Sequence, residues 1–450
     1  MKLKITLWAC VCGFFFLPTW ASEKNVWVYD KSAATLSPKD ESIEQWKFNV
    51  VSYSRAEGKI SLSFVGINAA YKNFTTLNLD DLIVEDAEGE VQMSGITFTS
   101  GMFGGVSSSK LTDFRCNCVS GTSINFFRSS TTANTITLAS LRDVAVGGEG
   151  PNKIETSAFQ GSTQLTNVVF NLPNLTTINA RAFTNCCRLV HIEGIENVQK
   201  IGAAAFANCT SLTSRFEFAN LETLGASAFL NCQSLESISI QGTITNFPEN
   251  VFRSCSKLAI SATEVISPGA SGIGESAFRD TPLKGKLTLT NLTSIGKHAF
   301  RATGLSEVDL SGPISSLEDS AFYLCSNLET FTFNLPNLTL GYKSCFAGTP
   351  EQKKITFRDK PLSQTSLYYL LVSSPDVTNE HASIIYVDTN RWMTFASDKR
   401  YSAFQDAEEA ARGKSAAKTC FGVCVVLNGT TTYRRAWFAQ VSKSFVLRIR

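Results

Sequence analysis

Thirteen cysteines and three histidines are the residues of this 450-residue chain best suited to disulfide, metal or nucleophile chemistry. The cysteines are not scattered. Cys186, Cys209, Cys232, Cys255 and Cys325 each stand three places after a phenylalanine, in strings such as SAFLNCQSLESISI at residues 227–240. At the same place in the other strings stand Ser162, Thr281, Thr303 and Thr349. A structural metal needs about four ligands converging on one point, whereas a recurrent position spreads its thiols along a line. Stacked strands lie about 4.8 Å apart, a separation that disulfide geometry tolerates, so spacing alone leaves pairing open. Cys325, however, has Thr303 before it and Thr349 after it in the row, and so has no thiol neighbour there. These cysteines are expected to be buried, reduced and packed as small hydrophobes. Outside the row are Cys10 and Cys12 in the first 21 residues, and Cys116, Cys118, Cys187, Cys345, Cys420 and Cys424, of which the last two are the best disulfide candidates in an oxidising compartment.

The histidines are His191, His298 and His381. His298 directly precedes Ala299-Phe300, where other strings carry Ser157, Arg181, Ala204, Ser227, Asn250, Ser276, Ser320 and Ser344, and such tolerance predicts a solvent-facing position. His191 precedes Ile192 on an expected strand and is read as exposed or as part of a binding face. The sequence contains no H-E-x-x-H, G-x-S-x-G or G-x-x-x-x-G-K-[ST] string. Carboxylates are plentiful but form no pair that a repeat would bring together for acid–base work. No cofactor or metal is expected, and the chain is expected not to be an enzyme.

The elements that hold these residues come from a repeat. Phe159, Phe183, Phe206, Phe229, Phe252, Phe278, Phe300, Phe322 and Phe346 follow one another at gaps of 24, 23, 23, 23, 26, 22, 22 and 24. Around each runs I-G-x-x-A-F-x-x-C/T-x-x-L-x-x-I-x-I-x-x-L-x-x-I, and the I-x-I pair, as in Ile238-Ser239-Ile240, has the period of two of a strand with one buried face. One unit buries a phenylalanine and roughly five aliphatic side chains at ~1.5–3 kcal/mol each. Ordering its residues costs ~1–2 kcal/mol apiece in backbone entropy, so a unit is stable only when stacked on its neighbours.

This grammar resembles the BspA-like, or Treponema pallidum-type, leucine-rich repeats of surface proteins. The resemblance covers about 154–358 clearly and extends more weakly upstream through Phe103, Leu111 and Phe127. It implies a leucine-rich-repeat solenoid of the α/β type, mostly short parallel strands, with an N-terminal β cap and a small C-terminal α+β segment. The expected divisions are a signal peptide at 1–21 with cleavage after Ala21, a linker and β-hairpin cap at 22–74, divergent repeats at 75–153, regular repeats at 154–360 and a capping or α+β module at 361–450. In the last, 362–373 and 403–411 read as helices, and 383–387, the stretch before Asn428-Gly429 and two segments after it read as strands.

The apolar run at 5–17 is short for a membrane span, and nothing later reaches the ~20 apolar residues that a spanning helix needs. The chain is therefore expected to be secreted or held at the cell surface, with no transmembrane segment in the mature form. Removing Lys2 and Lys4 lowers Lys+Arg from 41 to 39, against 39 Asp+Glu, and this balance argues against a nucleic-acid partner. Six Asn-x-Thr sequons, at Asn73, Asn174, Asn208, Asn291, Asn337 and Asn428, are glycan acceptors only in a eukaryotic secretory pathway, and the repeat itself accounts for several of them.

What remains is a surface. Between the buried strand positions run Val169, Glu193, Glu217, Ser239, Thr288, Asp309 and Thr332, a mildly acidic, hydroxyl-rich row that is the candidate partner-binding strip. The row reads either as an ordinary solvated sheet face or as a docking strip. By resemblance, the partner is a protein ligand or a cell-surface or matrix component, and the chain is an adhesin-like protein or interaction scaffold. A structural envelope component, or an enzyme activity in the C-terminal segment, are the alternatives.

Overall fold

The computed structural model describes residues 24–39, 47–64, 76–101, 111–125, 127, 141–241, 244–314 and 316–334, and after these the backbone of strands Thr339–Leu340, Lys354–Phe357, Ile384–Asp388, Gly422–Leu427, Thr430–Phe438 and Leu447–Ile449. The expected signal peptide, the expected helices at 362–373 and 403–411, His381, Thr349, Cys345 and Cys420 lie outside the described residues, as do the sequons at Asn73, Asn337 and Asn428 and the side chain of Cys424.

The period-two pattern becomes short strands that alternate in and out. In Phe216–Phe218 both phenylalanines are buried around an exposed Glu217. Each coil then returns through a second, two-residue strand before the phenylalanine turn. Successive coils pair in parallel and in register on both edges: Val144 lies beside Val168 and Val168 beside Ile192 on the first, and Ile154, Ile178, Ile201 and Leu224 follow one another on the second. Identical positions therefore meet, so each coil buries its apolar residues against copies of themselves.

Between the two edges runs a column of rings. Phe159 stacks on Phe183 at 5.0 Å between centroids, Phe183 on Phe206 at 5.2 Å and Phe206 on Phe229 at 5.2 Å, and the column continues through Phe252, Phe278 and Phe300 to Phe322. Such pairs add about 0.5–1.5 kcal/mol beyond the area they bury. The glycine of the I-G pair permits this close stacking: a Cβ on Gly225 would lie 2.2 Å from the backbone nitrogen of Ala203 in the coil before.

Upstream, a seven-stranded mixed sheet covers the first coils, with strand order Gly89–Gln92, Ile83–Asp86, Val26–Asp30, Thr35–Pro38, Phe48–Ser54, Lys59–Phe64 and Gly95–Phe98. The hairpin read from the sequence is its Phe48–Ser54/Lys59–Phe64 pair. The sheet reaches well past residue 74, because Ile83–Asp86 and Gly89–Gln92 form a second hairpin and Gly95–Phe98 pairs with Lys59–Phe64. Thr76–Asn78, lying between these segments in sequence, instead starts the repeat sheet beside Asp113–Cys116. One apolar core runs through both parts, from Trp27 and Phe48 in the first sheet to Phe331 in the repeats.

Downstream, strands Lys284–Leu289, Gly304–Ser311, Thr330–Asn334, Lys354–Phe357, Ile384–Asp388 and Gly422–Leu427 pair in parallel, and the antiparallel strands Thr430–Phe438 and Leu447–Ile449 complete an eight-stranded sheet.

Candidate functional site

The row of cysteines lies at the turn edge. Cys186, Cys209, Cys232, Cys255 and Cys325 are free, and each is 0% exposed. Each thiol donates to the carbonyl of the phenylalanine one coil back: Cys186 Sγ to Phe159 O at 3.1 Å, Cys209 to Phe183 at 3.2 Å, Cys232 to Phe206 at 3.2 Å, Cys255 to Phe229 at 3.1 Å and Cys325 to Phe300 at 3.0 Å. Thr281 makes the same bond to Phe252 at 2.6 Å. The carbonyl of Phe206 also accepts from the Cys209 amide at 3.1 Å. The slot is therefore a donor slot as well as a small one, which the expectation of small hydrophobes missed. The signal was in the sequence: all nine residues found there are Ser, Thr or Cys, and none is Ala or Val. Burial pushes the Cys255 thiol up to about 12 and the Cys325 thiol to about 11. It pushes Cys186, Cys209 and Cys232 up as well. Protonated, buried thiols of this kind are poor nucleophiles and poor metal ligands.

Two left-handed residues bracket each phenylalanine. One is the slot of His298, with φ of 57° there and 60° at Ser157. The other lies two places after the ring, where Asn185, Asn208 and Asn231 have φ of 63°, 62° and 60°. Asparagine tolerates this region better than most residues. Here it also forms a chain, with Asn208 Nδ2 donating to Asn185 Oδ1 at 2.8 Å and Asn231 Nδ2 to Asn208 Oδ1 at 3.0 Å. The sequon at Asn208 is thus assembled from an asparagine ladder and a donor slot. The solvent-facing expectation for the His298 slot needs correction: Ser276 and Ser320 are buried there, and His298 is half-buried with its Nδ1 enclosed. What the varied residues share is a backbone conformation, not exposure.

The strip lies on the strand edge, in three groups. Val169 pairs with Glu193, Glu217 with Ser239, and Thr288 with Asp309 and then Thr332. Glu193 and Glu217 are exposed; Val169, Ser239, Thr288 and Asp309 are half-buried; Thr332 is only 7% exposed and presents little surface. Between Glu193 and Glu217 the ladder opens, and Ser214 Oγ takes the Ile192 amide at 2.9 Å in place of a strand. Between Ser239 and Thr288 a one-turn helix, Ala262–Val265, occupies the strand position, capped by Ser261 and Glu264. The 26-residue gap between Phe252 and Phe278 was the sequence signal for that insertion. Upstream the row extends in register through Ala145 and Arg115 to Asn78, which sequence reading left out. His191, exposed, holds Glu193 Oε1 through Nε2 at 2.6 Å. One row over, Asp113 and Asp143 face each other in register, and burial followed by the Asp113 charge raises the Asp143 carboxyl.

Among the described residues no group of three or more His, Cys, Asp or Glu side chains is arranged to hold a metal ion, and no helix is long and apolar enough to cross a membrane.

A family model described as the BspA type leucine rich repeat region matches residues 140–259 and 261–369, in 6 copies. No curated protein matches the chain. Similar solved structures include a leucine-rich repeat protein from Bacteroides ovatus, 17% identical over 69% of this chain and 92% of that one, with a TM-score of 0.32. The leucine-rich repeat protein of T. pallidum is 18% identical over 52% of this chain and 86% of its own, with a TM-score of 0.32. A leucine-rich cell surface protein from Faecalibacterium prausnitzii is 16% identical over 77% and 88%, with a TM-score of 0.34.

Proposed function

Because the chain belongs to the BspA-type leucine-rich repeat family, we propose that it is a secreted or cell-surface solenoid that works by binding a protein partner on the exposed face of its strand edge, without catalysis. One observation carries this reading. On the turn edge the ring, the donor slot and the two left-handed positions of each coil are committed to stacking, donor bonds or backbone conformation, whereas Glu193 and Glu217 on the strand edge are exposed and are placed by the ladder rather than needed by it. Exposed, variable positions on a rigid repeat are where such folds carry recognition.

The binding face is the Asn78–Glu193 row together with Glu217 and Ser239, with Thr288 and Asp309 forming a separate patch beyond the one-turn helix. Residues 1–21 direct export, the first sheet serves as the N-terminal cap through Phe98, and the strands after Lys354 cover the other end. The test is a binding screen of the mature protein against cell-surface and matrix proteins. A partner bound by wild type should be lost on Glu193→Lys, Glu217→Lys and Asp309→Lys together. Wild-type affinity in that variant rejects the strip, and recovery of the protein only as an abundant insoluble lattice favours a structural envelope role.

A further inference from the structure

The turn edge changes character along the repeats. Immediately after the stacked phenylalanine, the first four regular coils carry Gln160, Thr184, Ala207 and Leu230; the next three carry Arg253, Arg279 and Arg301, followed by Tyr323. The backbone places these last four side by side. The Ser254 amide donates to the Arg279 carbonyl at 2.8 Å, the Asp280 amide to that of Arg301 at 2.9 Å, and the Ala302 amide to that of Tyr323 at 2.7 Å. The rings beneath them are spaced 5.6, 5.5 and 5.3 Å apart. Three arginines carried on coils at that spacing bring like charges near one another, and their repulsion works against the arrangement.

Their charges are only partly answered. Arg279 Nε meets Asp280 at 3.2 Å, and Arg253 reaches only the neutral Asn250 Oδ1, at 3.4 Å. Arg301 lies over the Tyr323 ring at 5.3 Å, and its Nε is buried without a hydrogen-bond partner. His298 adds a second orphan, its buried Nδ1. Burial, then Arg279 and Arg301, hold this histidine below its ordinary range against the opposing pull of Asp319 and Glu275.

We infer that Arg253, Arg279 and Arg301, closed by Tyr323, form a binding site for a linear sulfated polysaccharide, with one sulfate per coil. Guanidinium groups match sulfate oxygens in bidentate fashion. The spacing selects among polyanions. An extended acidic peptide presents side chains on one face every ~6.6 Å, and a stacked nucleic-acid strand presents a phosphate every ~3.4 Å, so both lose step over three coils. A pyranose ring with its linkage oxygen lies between the two. A single tyrosine at the end of the file also lacks the successive stacking platforms that bind single-stranded nucleic acid.

The test is titration calorimetry of the mature protein with a heparin oligosaccharide. Wild type is compared with Arg253→Ala/Arg279→Ala/Arg301→Ala and with the charge-matched control Arg181→Ala/Arg188→Ala/Arg215→Ala. The first variant should lose tenfold or more in affinity, and its dependence of log K on log salt should flatten by about three; the control should bind as wild type does. Should the first variant melt early, Arg301→Lys, which keeps the charge but not the fork, is measured instead and should lose affinity severalfold. No heparin binding by wild type, equal losses in the two triple variants, an Arg301→Lys protein equal to wild type, or oligothymidylate bound as tightly as heparin overturns the inference.

Discussion

The turn edge and the strand edge of each coil are built under different rules. At the turn, Phe206 is fully buried between Phe183 and Phe229, its carbonyl takes both the Cys209 amide and the Cys232 thiol, and Asn208 bonds the asparagines on either side. At the strand, Glu217 stands in register with Ser239 and makes no such demands. The ladder tolerates a missing rung there, closed by Ser214, and even a helix in place of a strand. The comparison teaches that stacking is enforced at the turn edge, which leaves the strand edge free to vary.

The most direct way to break this contrast is to remove a ring. Phe206→Ala deletes the middle of the stack and should cost about 3–5 kcal/mol, read as a large fall in the midpoint of denaturant unfolding. Survival of the wild-type midpoint would mean that the column does not hold the coils together.

The donor slot is sharpened by a pair of variants. Cys232→Thr keeps a donor at the Phe206 carbonyl and should change stability little, whereas Cys232→Val is close in volume but leaves that carbonyl with the Cys209 amide alone and should cost about 0.5–1.5 kcal/mol. Equal stabilities would reduce the slot to a matter of size.

Alkaline pH probes the same thiols without changing shape. Their folded values lie above the ordinary 9.0, at about 12 for Cys255 and about 11 for Cys325, so above pH 9 the unfolded chain releases protons that the folded chain keeps. Their stabilising contribution is complete below the unfolded value and is lost as pH climbs from about 9 towards 11–12. Thermal melts across that range should fall for wild type and fall less for Cys255→Thr, and parallel curves would show that the thiol does not titrate on unfolding.

The smallest effect belongs to the strand edge. Asp143 has its carboxyl raised by burial and by Asp113, so at neutral pH Asp143→Asn should stabilise slightly, an advantage that shrinks as pH falls and the carboxyl takes up its proton. A loss of stability at neutral pH would show that the charged pair contributes to holding the ladder.

The turn edge was the more legible of the two in sequence. The spacing from Phe159 to Phe322 marked the column, and Cys325 between two threonines excluded a continuous thiol ladder. The donor role was present in the choice of Ser, Thr and Cys but is hidden by calling all three small. Left-handed backbone was not legible at Ala204 or His298, because neither residue type announces it, whereas the asparagines did. On the strand edge the period of two marked the outward positions. Their continuity was lost at the helix Ala262–Val265, where Leu258, Ile260 and Ala262 keep an alternation that a strand would also show, and only the longer gap gives the insertion away. The limits of the first sheet escaped for a related reason: hairpin strands such as Ile83–Asp86 have the same alternation as repeat strands, and pairing partners, not local pattern, tell them apart.

Thermal unfolding of two variants measured side by side tests the division of labour most directly. Glu193→Gln/Glu217→Gln/Asp309→Asn should melt with wild type, within the ~0.5 kcal/mol typical of surface changes, while Cys232→Val melts clearly lower. A strand-edge variant that loses as much as the cysteine variant would contradict the account.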